Sequence, residues 1–527
     1  MQQVAPSAAQ AGRLWRCGIL AAGGVCVLAA TATASTPFGV LSPELVQPWV
    51  QQFNALDSET VTNEIPNAQA GAWLARHIPL FECPDAEVVR TYYFRWWVFR
   101  KHLRRTPTGW VITEFLPPVS HAGPFNTISC ALGHHMAEGR WLRDPAVLDD
   151  TLRFWLRGHQ GGPQPHLHRY SQWLATAVYE RWLVQGHTVR AVAWLEDLVE
   201  DYHRWEQEQL RSDGLFWQFD VRDGMEESLS GSRTARHVRL PLNCYMYGNA
   251  RALAALAQKA GRLDLVRPFE QRAEQLQRRV LENLWDEGAG FFKTLREDGQ
   301  LADAREATGF LPWRFGLVPA GRGYERAWRQ LTDPEGFWAP AGLTTAERRH
   351  PRFRSHGVGR CEWDGAVWPF ATVQTLGALA RVLREVPDPP AGPRTFFEAF
   401  LTYTRSHRHR GRPWIGEYHD EVTGDWINRG TDRSKDYNHS TYADLLITGV
   451  VGLVPRADAT LQLWPLLPQE VWDWFCLDGL PYHGRSLTIV WDRDGTRYGR
   501  GAGFQVWADG RRVGGAERLG LLECKLP

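Results

Sequence analysis

The chain has little methionine, 4 residues in 527, and no surplus of either charge, with 60 Lys and Arg against 59 Asp and Glu. A net charge of +1 leaves nothing to neutralise a phosphate backbone, which excludes dedicated nucleic-acid binding. Past the N-terminus there is no run of the roughly 18 apolar residues that a membrane helix needs. Cys83, Cys130, Cys244, Cys361, Cys476 and Cys524 are scattered, with no CxxC pair and no metal-ligand spacing. Walker, HExxH and EF-hand motifs are missing as well, so neither a metal nor a cofactor is expected. What the chain has in excess is tryptophan, 26 residues. Leu and Met fill a core more simply. So many flat rings suggest bulky helix packing together with a cleft lined by aromatic faces, the kind of surface on which sugars stack.

Residues 1–34 read as an export signal. Arg13 and Arg16 precede an apolar run, Cys17 to Ala30, and Ala32-Thr33-Ala34 fits the small-x-small cleavage rule. The expectation is an exported protein, periplasmic or extracellular, beginning near Ser35 and not stably inserted in a membrane.

Apolar residues recur at helical spacing over 66–77, 85–104, 126–138, 144–158, 168–184, 189–209, 241–259, 263–284, 303–330, 365–384, 393–407 and 438–451. Twelve such segments, paired as hairpins, predict a mainly α fold, an (α/α)6 barrel spanning 35–457. The long interruptions at 210–240, 285–302, 332–364 and 408–437 are rich in Gly, Trp, Asp, Arg and His. Long aromatic loops of this kind usually carry function, so they are expected to gather at one mouth of the barrel. After Pro455 the pattern alternates, with Asp494-Gly495 and Asp509-Gly510 as hairpin signals. Residues 458–527 are therefore expected to form a small C-terminal β domain.

Cleaving a glycosidic bond needs one carboxyl to protonate the leaving oxygen and another to activate water or attack directly. The first candidate loop, 213–228, holds Asp223 and Glu226 beside Phe216, Trp217 and Phe219, neighbours able to raise a carboxyl pKa by desolvation. The second is Trp414-Ile-Gly-Glu417-Tyr-His-Asp420, where Glu417 stands among apolar and aromatic residues. A third segment, 361–369, sets Trp363 and Trp368 around Asp364 and Gly365, either as sugar-stacking faces or as a helix start capped by Asp364. Further sugar-binding candidates are Arg95 and Trp96 on an aromatic helix, Glu114, Asn243, Tyr245 and His439. His134 and His135 are adjacent and cannot share one metal from a helix.

Gly224-Met-Glu-Glu-Ser228 resembles the acid-bearing segment of glycoside hydrolase family 63 and its mannosylglycerate-hydrolase-like branch, which is related to the family 37 trehalases. Trp363-Asp-Gly-Ala-Val-Trp-Pro369 is similar to their Trp-Arg-Gly-Pro-Val-Trp-Pro motif, and Glu417-Tyr418 followed by Thr423-Gly424 resembles the segment that holds their general base. Asn438-His439-Ser440 falls where that family has an aromatic helix start. The resemblance implies an inverting glycosidase with Glu226 as acid and Glu417 as base. This chain has Glu226 where the family has Asp, Asp223 where it has Ser, and Asp364 where it has Arg, so Asp223 is an alternative proton donor. The expected function is an exported glycoside hydrolase acting on an oligosaccharide or glycoconjugate, exo-acting in a pocket. The alternatives are a lyase or epimerase on the same type of barrel, or a sugar-binding protein without activity.

Overall fold

A computed structural model describes residues 37–61, 63–356, 362–427 and 432–527. Residues 1–34, expected to be an export signal, and Cys361 lie outside the described residues. Six helices make an inner ring: Leu132–Gly139, Leu174–Gln185, Leu240–Ala260, Leu311–Arg314, Pro369–Glu385 and Ala443–Leu445, the last continued by the π turn Leu446–Val450. Each packs on the next, and the sixth returns to the first, so the ring closes. Outside it lie Ala86–Lys101, Ala146–Arg157, Leu195–Gln209, Leu263–Asn283, the short pair Tyr324–Trp328 and Arg329–Thr332, and Pro393–Ser406. This is an (α/α)6 barrel.

The ring tightens where small residues meet large rings. A Cβ on Gly133 would stand 2.0 Å from the Trp173 indole, and one on Gly248 would stand 2.6 Å from Phe315. Glycine therefore lets neighbouring inner helices approach through a flat side chain. Much of the tryptophan excess is packing of this sort, since Trp96, Trp97, Trp141, Trp155, Trp205, Trp328 and Trp363 are fully buried. Two helical expectations change. Segment 303–330 is not one helix but supplies an inner and an outer member: Pro312 stands in the first turn of Leu311–Arg314, and Pro319 lies in the gap before Tyr324. Helix Ala70–His77 instead packs outside the ring, against Ala86–Lys101 and the preceding turn.

Connections at one end of the barrel are short, as between Ala260 and Leu263 or Glu385 and Pro393, and at the other they are long. The inner helices all begin at the long-loop end. A line of isolated bridges stitches those loops together: Val238 to Leu295, Glu306 to Ala346, Thr344 to Val367, Val367 to His419, and His419 to Trp426.

The C-terminal region forms an antiparallel sheet of Trp474–Tyr482, Arg485–Asp492, Gly503–Ala508 and Arg511–Ala516. Its edge is strand Leu80–Glu82, from the start of the barrel, paired on Trp474–Tyr482. Asp509 (φ 49°) and Gly510 (φ 78°) make the two-residue hairpin that the Asp-Gly signal predicts. Buried Asp478 on this sheet accepts from the backbone N–H groups of Gly39, Val40 and Leu41 and from the Thr488 hydroxyl. Among the described residues, no helix is long and apolar enough to cross a membrane.

Candidate active site

Glu226 stands on a loop bent by two left-handed residues, Gly224 at φ 69° and Glu227 at φ 68°. At position 224 only glycine fits, because a Cβ would lie 2.8 Å from the Cys130 sulfur and 3.7 Å from the Trp368 ring. Glu227 has a side chain in the same region, a conformation costing about 1–3 kcal/mol that surrounding structure must impose. The turn Asp220–Asp223 precedes the bend, and the Met225 N–H closes it on the Asp220 carbonyl.

Asp223 anchors this loop. Its side chain is fully buried, and its two oxygens accept from Arg239 Nε at 2.6 Å and Ser171 Oγ at 2.7 Å. Burial pushes the Asp223 carboxyl above its ordinary range while Arg239 and Ser171 pull it back. With both oxygens engaged, it is placed to hold the loop rather than to deliver a proton.

Glu417 is half-buried and follows Gly416, where a Cβ would stand 2.8 Å from the Trp426 ring. Two backbone hydrogen bonds of 3.0 Å between Val367 and His419 hold the Glu417 strand against the segment of Trp363 and Trp368. Tyr437 and Asn438 then tie Glu114 to the same place. The Tyr437 N–H donates to the Ile415 carbonyl, the Asn438 N–H donates to the Glu114 carbonyl, and the Tyr437 hydroxyl donates to Glu114 Oε1. Burial raises the Glu114 carboxyl to about 8, and the charges of Glu417 and Glu226 push it in the same direction. Cys130 feels Glu114, Glu226, Asp223 and Glu417 together. The long loops thus bring three glutamates from widely separated segments into one electrostatic neighbourhood. Oε2 of Glu114 is buried without a hydrogen-bond partner among the described residues.

Under these acids lies an aromatic floor. Trp363 and Trp368 stack at 4.3 Å, Trp368 stacks on Phe370 at 4.4 Å, and Tyr418 meets Trp363 edge-on at 5.1 Å. The His439 ring lies 6.2 Å from Trp368 and 4.1 Å from Tyr437, and burial keeps it neutral by pushing its pKa well down. Trp363 and Trp368 are 1% and 4% exposed, so their faces are occupied by each other rather than presented for stacking. Tyr245 joins Asp223 and Trp368 around a small cavity in this floor, and its hydroxyl meets Gln374 at 3.0 Å.

Several expected sugar contacts are part of the framework instead. Arg95 is buried, donating to the Tyr403 hydroxyl and the Ser440 carbonyl, and braces the barrel wall. Trp96 is core, edge-on to Tyr92 and Phe99. Asn243 has no exposure and clamps both backbone groups of Phe216. Asp364 caps no helix, since Trp368 stands at the N-cap; its carboxylate accepts from the His356 N–H at 3.0 Å. Trp217 is half-buried, with Arg236 4.6 Å over its ring, and lines a groove beside the Glu226 loop. His134 and His135 are internal, the first between Trp173 and Phe370, the second on the Asn438 carbonyl. Sequence reasoning missed Tyr437, Arg239 and Ser171. Tyr437 stands two residues before His439 and was within reach of that motif, whereas Arg239 and Ser171 carry no local signal. Among the described residues, no group of three or more His, Cys, Asp or Glu side chains is arranged to hold a metal ion.

A closed helical toroid whose long loops collect carboxyls over an aromatic floor is the architecture of the (α/α)6 glycoside hydrolases. Residues 124–440 match the mannosylglycerate hydrolase MGH1-like glycoside hydrolase domain, and the chain belongs to that family. Residues 456–514 match the C-terminal domain of glycosyl hydrolase family 65. A solved structure described as a sialidase is similar at 45% identity and a TM-score of 0.91, over 93% of this chain and 45% of that one. A GH78 rhamnosidase of Bacillus sp. GL1 shares the fold at 14% identity and a TM-score of 0.56, over 79% of this chain and 40% of that one. The GH63 mannosylglycerate hydrolase of Thermus thermophilus, with Tris and D-glycerate, is 16% identical over 68% of this chain and 100% of that one, at a TM-score of 0.49. The chain spans less than half the length of the first two.

Proposed function

We propose that the protein is an exported glycoside hydrolase that works by inversion, with Glu226 as general acid and Glu417 as general base. The observation that carries this reading is the meeting of the Glu226, Glu417 and Glu114 segments around Trp368: Gly224 packs on its ring, Val367 pairs with His419, and Tyr437 bonds to both Ile415 and Glu114. Glu226 protonates the leaving oxygen, and Glu417 takes a proton from the water that attacks the anomeric carbon from the opposite face. Glu114, protonated at neutral pH, stands beside the two acids as a neutral group. Asp223 positions the acid loop through Arg239 and Ser171. Loops joined by bridges favour a pocket, hence removal of terminal sugars. Export is supported by the pattern of residues 1–34.

The test is a panel of glycosides that includes mannosylglycerate, sialosides and rhamnosides, the compounds named by the similar proteins. Hydrolysis of one of them, abolished in Glu417→Gln, is expected. Proton NMR of the first product should show the anomeric configuration opposite to that of the substrate. Unchanged hydrolysis in Glu417→Gln would remove the base from its role, and retained configuration would make Glu417 a nucleophile.

A further inference from the structure

A groove of about 600 Å³ opens beside the loop that carries Glu226, lined by His166, Arg169, Arg204, Glu208, Trp217 and Arg222 among others. It adjoins the mouth through the chain itself. Trp217 and Arg222 belong to the loop that ends at Glu226, and Arg169 precedes Tyr170, which feels the charges of Glu114 and Glu226. The Ser171 N–H donates to the Arg222 carbonyl at 2.8 Å, fixing the two walls together.

The groove's charge is not balanced. Arg204 is matched by Glu208 at 2.9 Å. Arg169 donates only to the His121 carbonyl, and no carboxylate pairs with Arg169 or Arg222 among the described residues. Arg222 has a neutral neighbour, the Gln209 amide, whose oxygen accepts from Nη1 at 3.3 Å when the amide is oriented to satisfy both its partners. Arg236 lies over the Trp217 ring and adds a third positive charge. The acids nearest in sequence do not cancel these charges. Asp223 is committed to Arg239, and the Asp220 charge also acts on Arg239.

We infer that this groove binds an acidic sugar of the substrate chain, with Arg169 and Arg222 on its carboxylate or sulfate oxygens and Trp217 beside its ring. The inference rests on the reading of the mouth as a glycosidase site and names the substrate class. Arginine suits oxyanions because its planar fork gives two parallel hydrogen bonds. An indole at the same place supplies apolar contact for the sugar C–H surface. The two charge patterns also sort the chain. Glu417, ionised to act as the base, disfavours an anionic residue at the mouth, whereas the groove attracts one. The sugar to be cleaved is therefore neutral, and the acidic unit lies one or more positions away.

The experiment compares matched glycan pairs by calorimetry on full-length Glu417→Gln protein, which does not turn over. The pairs are uronate-bearing and carboxyl-reduced, sialylated and desialylated, sulfated and desulfated oligosaccharides, and they separate carboxylate from sulfate recognition. At about 20 mM salt at least one acidic member should bind about tenfold tighter than its neutral partner, a difference that shrinks near 0.5 M salt. Arg169→Gln with Arg222→Gln should erase it, with thermal melting unchanged. If that double variant does not fold, Arg169→Glu, on an exposed side chain, should reverse the preference. Equal binding in every pair, or a preference that survives these variants, overturns the groove. Hydrolysis by the unsubstituted protein without any acidic preference defeats the groove alone. An acidic preference without hydrolysis on any substrate defeats the reading of the mouth alone.

Discussion

The two ends of the barrel hold acids in opposite ways. At the short-loop end, a cavity of about 520 Å³ is bordered by Arg140, Glu180, Arg314 and Asp444. There Arg314 meets Glu180 at 2.8 Å and Arg140 meets Asp444 at 2.7 Å. Burial works against the Glu180 charge, yet Arg314 and Arg140 hold its carboxyl below the ordinary value. At the long-loop end Glu114 is more deeply buried, and burial together with the charges of Glu417 and Glu226 raises its carboxyl to about 8 against the pull of the Tyr437 hydroxyl. Arg140 and Arg314 stand at the C-terminal ends of two inner helices, where the dipole favours a cation. The ring is the same, but one pole is arranged for stability and the other gathers like charges, as a site for proton transfer requires.

The largest expected effect falls at the mouth. Glu226→Gln should lower kcat by on the order of 10²–10⁴-fold while leaving the melting temperature nearly unchanged. A comparable loss of stability would erase the contrast. Next comes the far pole. Arg314→Ala removes the main partner of half-buried Glu180, leaving Arg140, and should cost about 1–3 kcal/mol in chemical denaturation, with kcat unaffected. A drop in kcat at equal folded fraction would mean that the poles are coupled.

The two glutamates should also split the pH dependence of stability. The folded pKa of Glu114 lies above its unfolded value, so the native state binds the extra proton, and stability falls as pH rises from about 4.5 to about 8. The slope is at most about 1.4 kcal/mol per pH unit. Glu114→Gln should therefore gain relative to the unsubstituted protein across that window in thermal melts, and level off above it. Glu180 is lowered, so its contribution is present above its unfolded pKa and fades as pH falls through the folded one. An acid limb that persists unchanged in Glu180→Gln would count against that assignment. The smallest effect lies remote from both poles. Gly510→Ala, at φ 78°, should cost about 1 kcal/mol and change no kinetic constant.

The ring was legible because amphipathic helices announce themselves by spacing, and the long interruptions between them marked the mouth. The inner helix Leu311–Arg314 was not, since a four-residue turn carries no periodicity. Strand Leu80–Glu82 was equally silent, because three residues take on a strand's identity only from the distant partner they pair with. At the site, aromatic motifs located the floor but did not reveal that Trp363 and Trp368 cover each other's faces. Composition tells that rings are present, not which way they face. Glu114 lay in a short apolar segment, and its character arises from Tyr437, Glu417 and Glu226, all supplied by the fold.

Asp478 holds the backbone of residues 39–41, and one of its bonds spans 437 positions of the chain. At a synthesis rate of about 5–20 residues per second, that interval takes on the order of 20–90 s. The opening segment of the described chain, like the short strand at Leu80, waits that long for the sheet that receives it. The strands of that sheet therefore appear well after the segment they anchor, so a molecule cut short before Asp478 leaves residues 39–41 without those bonds.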